Sequence, residues 1–122
     1  MAYVEVGQTF VKFFYETFDS NRANLSPLYT NESTLTFEGQ QFKGNEEVMK
    51  KIVNLPIKVV QHVITTCDCQ PLANAIVIHV LGQQKSDDDM PLPFSETFVL
   101  APTPEGSFFV MNEIYRLGVH NG

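Results

Sequence analysis

Ile57-Lys58-Val59-Val60-Gln61-His62-Val63-Ile64-Thr65-Thr66-Cys67 decides the fold. Ile57, Val59, Gln61, Val63, Thr65 and Cys67 alternate with Lys58, Val60, His62, Ile64 and Thr66, and both sets hold apolar side chains. A period of two marks an extended strand, and a run this long curves across a whole domain. Its two-sided apolar character predicts that both faces are covered.

Further strands are predicted downstream at 75–83, 94–100 and 108–117, the last two joined by the turn Pro102-Thr103-Pro104-Glu105-Gly106. Within 75–83, Ile76, Ile78 and Val80 form one clean apolar face, while Val77, His79, Leu81 and Gln83 form a mixed one. A mixed face suits a partner, and a homodimer through it is the simplest way to hide its apolar part.

Upstream the period lengthens. Tyr3, Val6, Phe10, Phe13, Phe14 and Phe18 recur at three- and four-residue intervals, with Glu5, Gln8, Lys12 and Glu16 opposite, which predicts a helix ending near Asp19-Ser20-Asn21. Asn21 is placed to cap a short second helix from Arg22 to about Leu25, which Pro27 cuts or re-initiates before Leu28 and Tyr29 pack inward. Residues 33–37 read as a short strand turning at Glu38-Gly39 into Gln41-Phe42-Lys43. A third helix follows Asn45 as its cap, with Glu46 and Glu47 at its positive end and Lys50 and Lys51 toward its negative one. Val48, Met49, Ile52 and Leu55 supply its buried stripe. Three helices followed by an antiparallel sheet make an α+β fold.

With 122 residues and 43% hydrophobic content, the chain is expected to be one domain, 1–122, with a single core. A net charge of -6 and a pI near 4.9 argue against nucleic acid or an anionic membrane as partner and favour a cationic protein surface. The opening Met1-Ala2-Tyr3-Val4-Glu5 has no leader pattern, and no apolar run is long enough for membrane insertion, so a soluble intracellular protein is expected. Cys67 and Cys69 share one strand face at a Cα separation near or beyond the disulfide limit of about 7 Å, which predicts buried free thiols. A metal site would need further ligands at suitable spacing, and no histidine stands beside the pair.

In Leu35-Thr36-Phe37-Glu38-Gly39-Gln40-Gln41-Phe42-Lys43-Gly44 a carboxylate directly follows an aromatic side chain and precedes a Gly turn, as at the lip of something apolar. Asp87-Asp88-Asp89 adds three negative charges in a loop bounded by Lys85 and Pro91. Folded together, the two segments would rim a hydrophobic pocket with acid, suited to a basic surface carrying an aromatic knob. No phosphate-cradling Gly-rich loop is present.

Phe14-Tyr15-Glu16-Thr17-Phe18-Asp19, Leu35-Thr36-Phe37-Glu38-Gly39-Gln40-Gln41-Phe42, Leu55-Pro56, Gln61-His62, Gln70-Pro71, Gly82-Gln83 and Arg116-Leu117 fall in one order and spacing that closely resembles the nuclear transport factor 2 family, import carriers for the GTPase Ran. The likeness runs from about Tyr3 to the C-terminus. It implies a cone-shaped, cystatin-like α+β domain, with N-terminal helices packed on a strongly curved antiparallel sheet around a deep hydrophobic cavity, dimerised through the sheet. It implies carriage without catalysis and without a cofactor: Ran-GDP binding, weak binding of FG-repeat nucleoporins, and residence in cytoplasm and nucleus with enrichment at the nuclear pore.

Carried over residue by residue, Glu38 matches the family's cavity-rim glutamate, and Asp87 and Asp89 match the two acidic loop residues that pair with basic side chains of Ran. Phe37 stands where members carry Trp or Phe, and His62 is placed near the cavity. Tyr3 aligns with the N-terminal aromatic that helps hold a nucleoporin phenylalanine. Asn21 departs from the usual aspartate, and Tyr3 from a larger or less polar ring, which bears on the strength of nucleoporin and secondary electrostatic contacts. The fold also resembles ketosteroid isomerase and scytalone dehydratase, which would make a small-molecule enzyme with Glu38 or His62 as base and a tyrosine as acid. A third expectation is an export-adaptor subunit that pairs with a second chain. Retention of both acidic segments favours the Ran carrier.

Overall fold

The computed structural model describes residues 1–118; residues 119–122 of the expected domain lie outside the described residues. Helix α1 (Ala2–Asn21) buries Val11, Phe14 and Tyr15 and leaves Phe13 half exposed. A 3-10 turn, Arg22–Leu28, runs through Pro27, so the second helix is longer and tighter than expected. Asn21 occupies its cap position without a side-chain cap bond. Arg22 anchors the turn instead, its Nη2 donating to the carbonyls of Leu55 at 3.0 Å and Ile57 at 2.7 Å.

Strands β1 (Thr34–Phe37) and β2 (Gln40–Lys43) form a tight hairpin, and helix α2 (Gly44–Val53) follows at once. The expected Asn45 cap is corrected: α2 starts at Gly44, and the backbone N–H of Lys43 donates to Glu47 Oε1 at 3.1 Å. The Asn45 amide donates to the carbonyls of Ser26 at 2.9 Å and Tyr29 at 3.0 Å, tying α2 to the 3-10 turn. Val48, Ile52 and Leu55 are buried as the stripe predicts.

Strands β3 (Val60–Leu72), β4 (Ala75–Ser86), β5 (Leu92–Pro102) and β6 (Phe108–Leu117) complete a six-stranded sheet of order β2-β1-β6-β5-β4-β3. All neighbouring pairs are antiparallel except β1 with β6, because the chain crosses from β1 to the far strands before returning. β3 begins three positions later than its alternation, since residues 55 and 57 are held by Arg22.

Curvature comes from local irregularities. A bulge between Ile64 and Thr66 bends β3 over β4 where Gly82 pairs with Ile64. Any Cβ on Gly82 would lie 2.3 Å from the Val63 carbonyl oxygen and 2.9 Å from the Phe94 ring. A second irregularity at Val99/Leu100 leaves Met111 of β6 without a partner.

The concave face, with Ile76, Ile78, Val80, Phe94, Phe98, Leu100 and Val110, closes on α1 as the core. On the opposite face Val63 is 65%, Leu81 42% and Ile114 51% exposed, so the expectation that both faces are covered is not met within one chain. Cys67 and Cys69 are half-buried free thiols, and burial pushes Cys67 up to about 11. Among the described residues no three His, Cys, Asp or Glu side chains cluster as a metal site, and no helix is long and apolar enough to cross a membrane.

Candidate functional site

Where the mouth of the sheet meets α1 and α2, aromatic and polar side chains from every layer converge on one recess. Tyr15 and Phe18 reach it from α1, Phe37 from β1, Ile52 from α2, His62 from β3, Gln84 from β4, Glu96 from β5, and Glu113 and Tyr115 from β6. The recess is narrower than the deep cavity the resemblance implies. It holds about 20 Å³, room for roughly one water, because stacked rings occupy it. Phe37 lies flat on Tyr115 with centroids 4.6 Å apart, and Tyr115 stacks in turn on Phe94 at 6.0 Å.

Glu38 sits at the lip. Glu38 and Gly39 form the two-residue β1–β2 turn with φ of 51° and 87°, the left-handed pair that matches the twist of a hairpin. A glutamate tolerates that conformation poorly, and two bonds hold it there. Its N–H donates to the Tyr115 carbonyl at 3.1 Å, and its Oε1 accepts from the Leu117 N–H at 2.6 Å. Glu38 is exposed and stands outside the recess lining, which places it as a rim group and not as an interior base.

Asp87, exposed at the β4–β5 loop, also has a left-handed φ of 51°. Its Oδ1 accepts from the N–H groups of Lys58 at 3.1 Å and Val59 at 2.9 Å, so part of its charge fastens the loop to the entry of β3. Asp88 and Asp89 are exposed beside it. A relay links the two acidic segments: Tyr115 donates to Gln84 Oε1 at 2.5 Å, and Gln84 Nε2 donates to Ser86 Oγ at 3.0 Å, next to Asp87.

His62 is oriented by Asp19, whose carboxylate bonds both its Nδ1 at 2.5 Å and its backbone N–H at 2.8 Å. Its ring lies among Tyr15, Phe18 and Phe94, with centroids 4.8 to 5.3 Å away. Tyr3 belongs elsewhere. It is half-buried in the first turn of α1, about 24 Å along the helix axis from Asp19.

Sequence reading missed the floor. Glu96 and Glu113 are each 4% exposed. Tyr15 donates to Glu96 Oε1 and Tyr29 to Glu113 Oε1, each at 2.6 Å. Burial raises both carboxyls above the usual range, and burial followed by the neighbouring carboxyls raises both tyrosines. Tyr115 is raised by burial, then by Glu96 and Glu38.

A curled sheet closed by N-terminal helices over an aromatic recess, with acidic residues at its lip, makes a cone-shaped α+β domain. The family model described as the nuclear transport factor 2 domain matches residues 6–117. Nuclear transport factor 2B of Arabidopsis thaliana is 44% identical over 92% of this chain and 91% of its own length. A probable nuclear transport factor 2 of Caenorhabditis elegans is 42% identical over 98% and 95%. The structure of nuclear transport factor 2 from Cryptosporidium parvum superposes with a TM-score of 0.91 at 38% identity, covering 95% of this chain and 94% of that one. The chain belongs to the nuclear transport factor 2 family. Those relatives are named as transport factors, not as enzymes.

Proposed function

We propose that this protein is a nucleocytoplasmic transport carrier, working as a single domain in cytoplasm and nucleus, that binds Ran-GDP at the recess mouth. The observation that carries this reading is the acidic rim of a hydrophobic recess in a chain of this family. Phe37 and His62 would contact an aromatic knob of Ran, while Glu38, Asp87 and Asp89 pair with its flanking basic side chains. Seating a phenyl group requires the Phe37–Tyr115 stack to part, because the closed recess has room only for a water. Burying that ring contributes about 2–3 kcal/mol, and the rim carboxylates add orientation and a salt-sensitive attraction. Nucleotide selectivity resides in Ran, whose surface presents knob and charges in register in one state only.

Tyr3 would take part in binding FG-repeat nucleoporins, on a surface remote from the recess, so cargo and pore contacts need not compete. The open sheet face with Val63, Leu81 and Ile114 would be covered by a second copy of the chain.

Calorimetry against Ran loaded with GDP and then GTP tests the reading, with binding expected only to the first. Glu38→Lys should weaken Ran-GDP binding at least about tenfold, a loss of roughly 1.4 kcal/mol, while the circular dichroism spectrum and FG-peptide binding stay unchanged. Equal affinity of the two nucleotide forms, or an unaltered affinity in the variant, overturns it.

A further inference from the structure

The floor of the recess contains an arrangement that the rim reading does not use. Glu96 pairs with Tyr115 across β5 and β6, and Glu113 pairs with Phe98 two positions along, so the two glutamates are diagonal neighbours on the concave face. Carboxyl groups on such a diagonal reach one another. Both side chains are almost fully buried, and among the described residues the only donors bonded to them from other elements are the tyrosine hydroxyls, Tyr15 from α1 and Tyr29 from the segment after the 3-10 turn. Among the described residues the only salt-bridge-distance contact joins His62 to Asp19, so no lysine or arginine lies within ion-pair reach of either glutamate.

Two carboxylates cannot both be ionised there. Each charge would be stripped of water, and each would face the other without a cation between them. One proton resolves the conflict: a carboxylic acid on one glutamate donates to a carboxylate on the other, while the tyrosines satisfy the remaining oxygens. Each tyrosine occupies the Oε1 of its glutamate, which leaves the other oxygen of each carboxyl for the neighbour across the diagonal.

We propose that Glu96 and Glu113 hold a single proton between them in the folded protein, and that the stability of the fold is coupled to that proton. The other titratable groups around the pair do not supply a countercharge. Tyr15, Tyr29 and Tyr115 are neutral donors, Glu38 acts only at the outer side of Tyr115, and His62 directs its Nδ1 to Asp19. α2, β1 and β4 bring only Ile52, Leu35, Phe37 and Gln84 to the same recess.

The sign of the coupling follows from where the proton is held more firmly. In the unfolded chain both carboxyls ionise in the ordinary range, whereas burial raises both in the folded state. Their contribution is therefore complete below the unfolded carboxyl range and is lost as pH climbs through the folded one. Over that window the folded state carries about one extra proton, and the unfolding constant rises about tenfold per pH unit.

Two measurements on the full chain at fixed protein concentration test the proposal. Infrared spectroscopy with carboxyl-labelled glutamate should show one protonated carboxyl per chain at neutral pH, absent after Glu96→Gln, whose amide donates to Glu113 in place of the acid. Urea unfolding from pH 5 to 8 should show the tenfold slope in the native chain and a flattened slope in Glu96→Gln. If that variant fails to fold, Glu113→Gln gives the same comparison and the infrared arm on the native chain stands alone. Absence of a protonated carboxyl at neutral pH, or identical pH slopes in native and variant chains, overturns it.

Discussion

Tyr29 shows how one hydroxyl on an aromatic ring serves two ends at once. Its ring belongs to the core and its oxygen sits 2.6 Å from Glu113, so Tyr29→Phe keeps the packing and removes a donor from a buried carboxyl. The expected cost is about 1–3 kcal/mol, read as a lower urea midpoint with an unchanged m value. Rim residues follow another logic. Glu38 and Asp87 occupy left-handed positions that glycine or asparagine fills more easily, and both are held by backbone hydrogen bonds. Their carboxylates are thus held in place by the fold, which in the proposed carrier would lower the ordering cost of binding. Phe37 beside Glu38 was legible as a lip because the turn residue Gly39 follows directly. The Asp19 anchor of His62 was not, since nothing in a single sequence links two positions so far apart.

At the level of elements, the apolar spacing of α1, the stripe of α2 and the alternation along β3 and β4 were readable because each depends on neighbours in the chain. Caps and bulges were not, because they are settled by contacts between elements. Asn45 is the instructive case. It has the residue type of a helix cap, yet it lies one residue inside α2 and its amide is claimed by the carbonyls of Ser26 and Tyr29. Asn45→Ala should therefore loosen the seam between α2 and the 3-10 turn at a cost of about 1–3 kcal/mol, visible as faster amide exchange in both segments. If exchange changes only in the first turn of α2, the tie to the 3-10 turn carries no stability. Met111 explains the missed floor. Counting by twos from the buried Val110 directs Asn112 and Ile114 inward, and the unpaired Met111 shifts the phase so that Glu113 and Tyr115 point in instead.

For the whole molecule, the exposed sheet face is the feature that a single chain leaves unresolved. Val63, Leu81 and Ile114 lie on three strands of one curved surface, with His79 bonded to Thr97 between them. Leu81→Lys places a charge in the middle of that surface without disturbing the core. Light scattering should report a dimer for the native chain and a monomer for the variant, with the same circular dichroism spectrum. A native chain that runs as a monomer would remove the second copy from the proposed carrier.

Gly82 touches neither the recess nor the rim, yet it sets how deeply the bowl is drawn. The sheet creases where the Val63 carbonyl and the Phe94 ring approach this residue more closely than any Cβ would allow. A side chain there would force β3 outward, splay the edge of the bowl and carry His62 away from Asp19. In the proposed carrier, the shape of the mouth would be governed in this way by an atom that is missing at the crease.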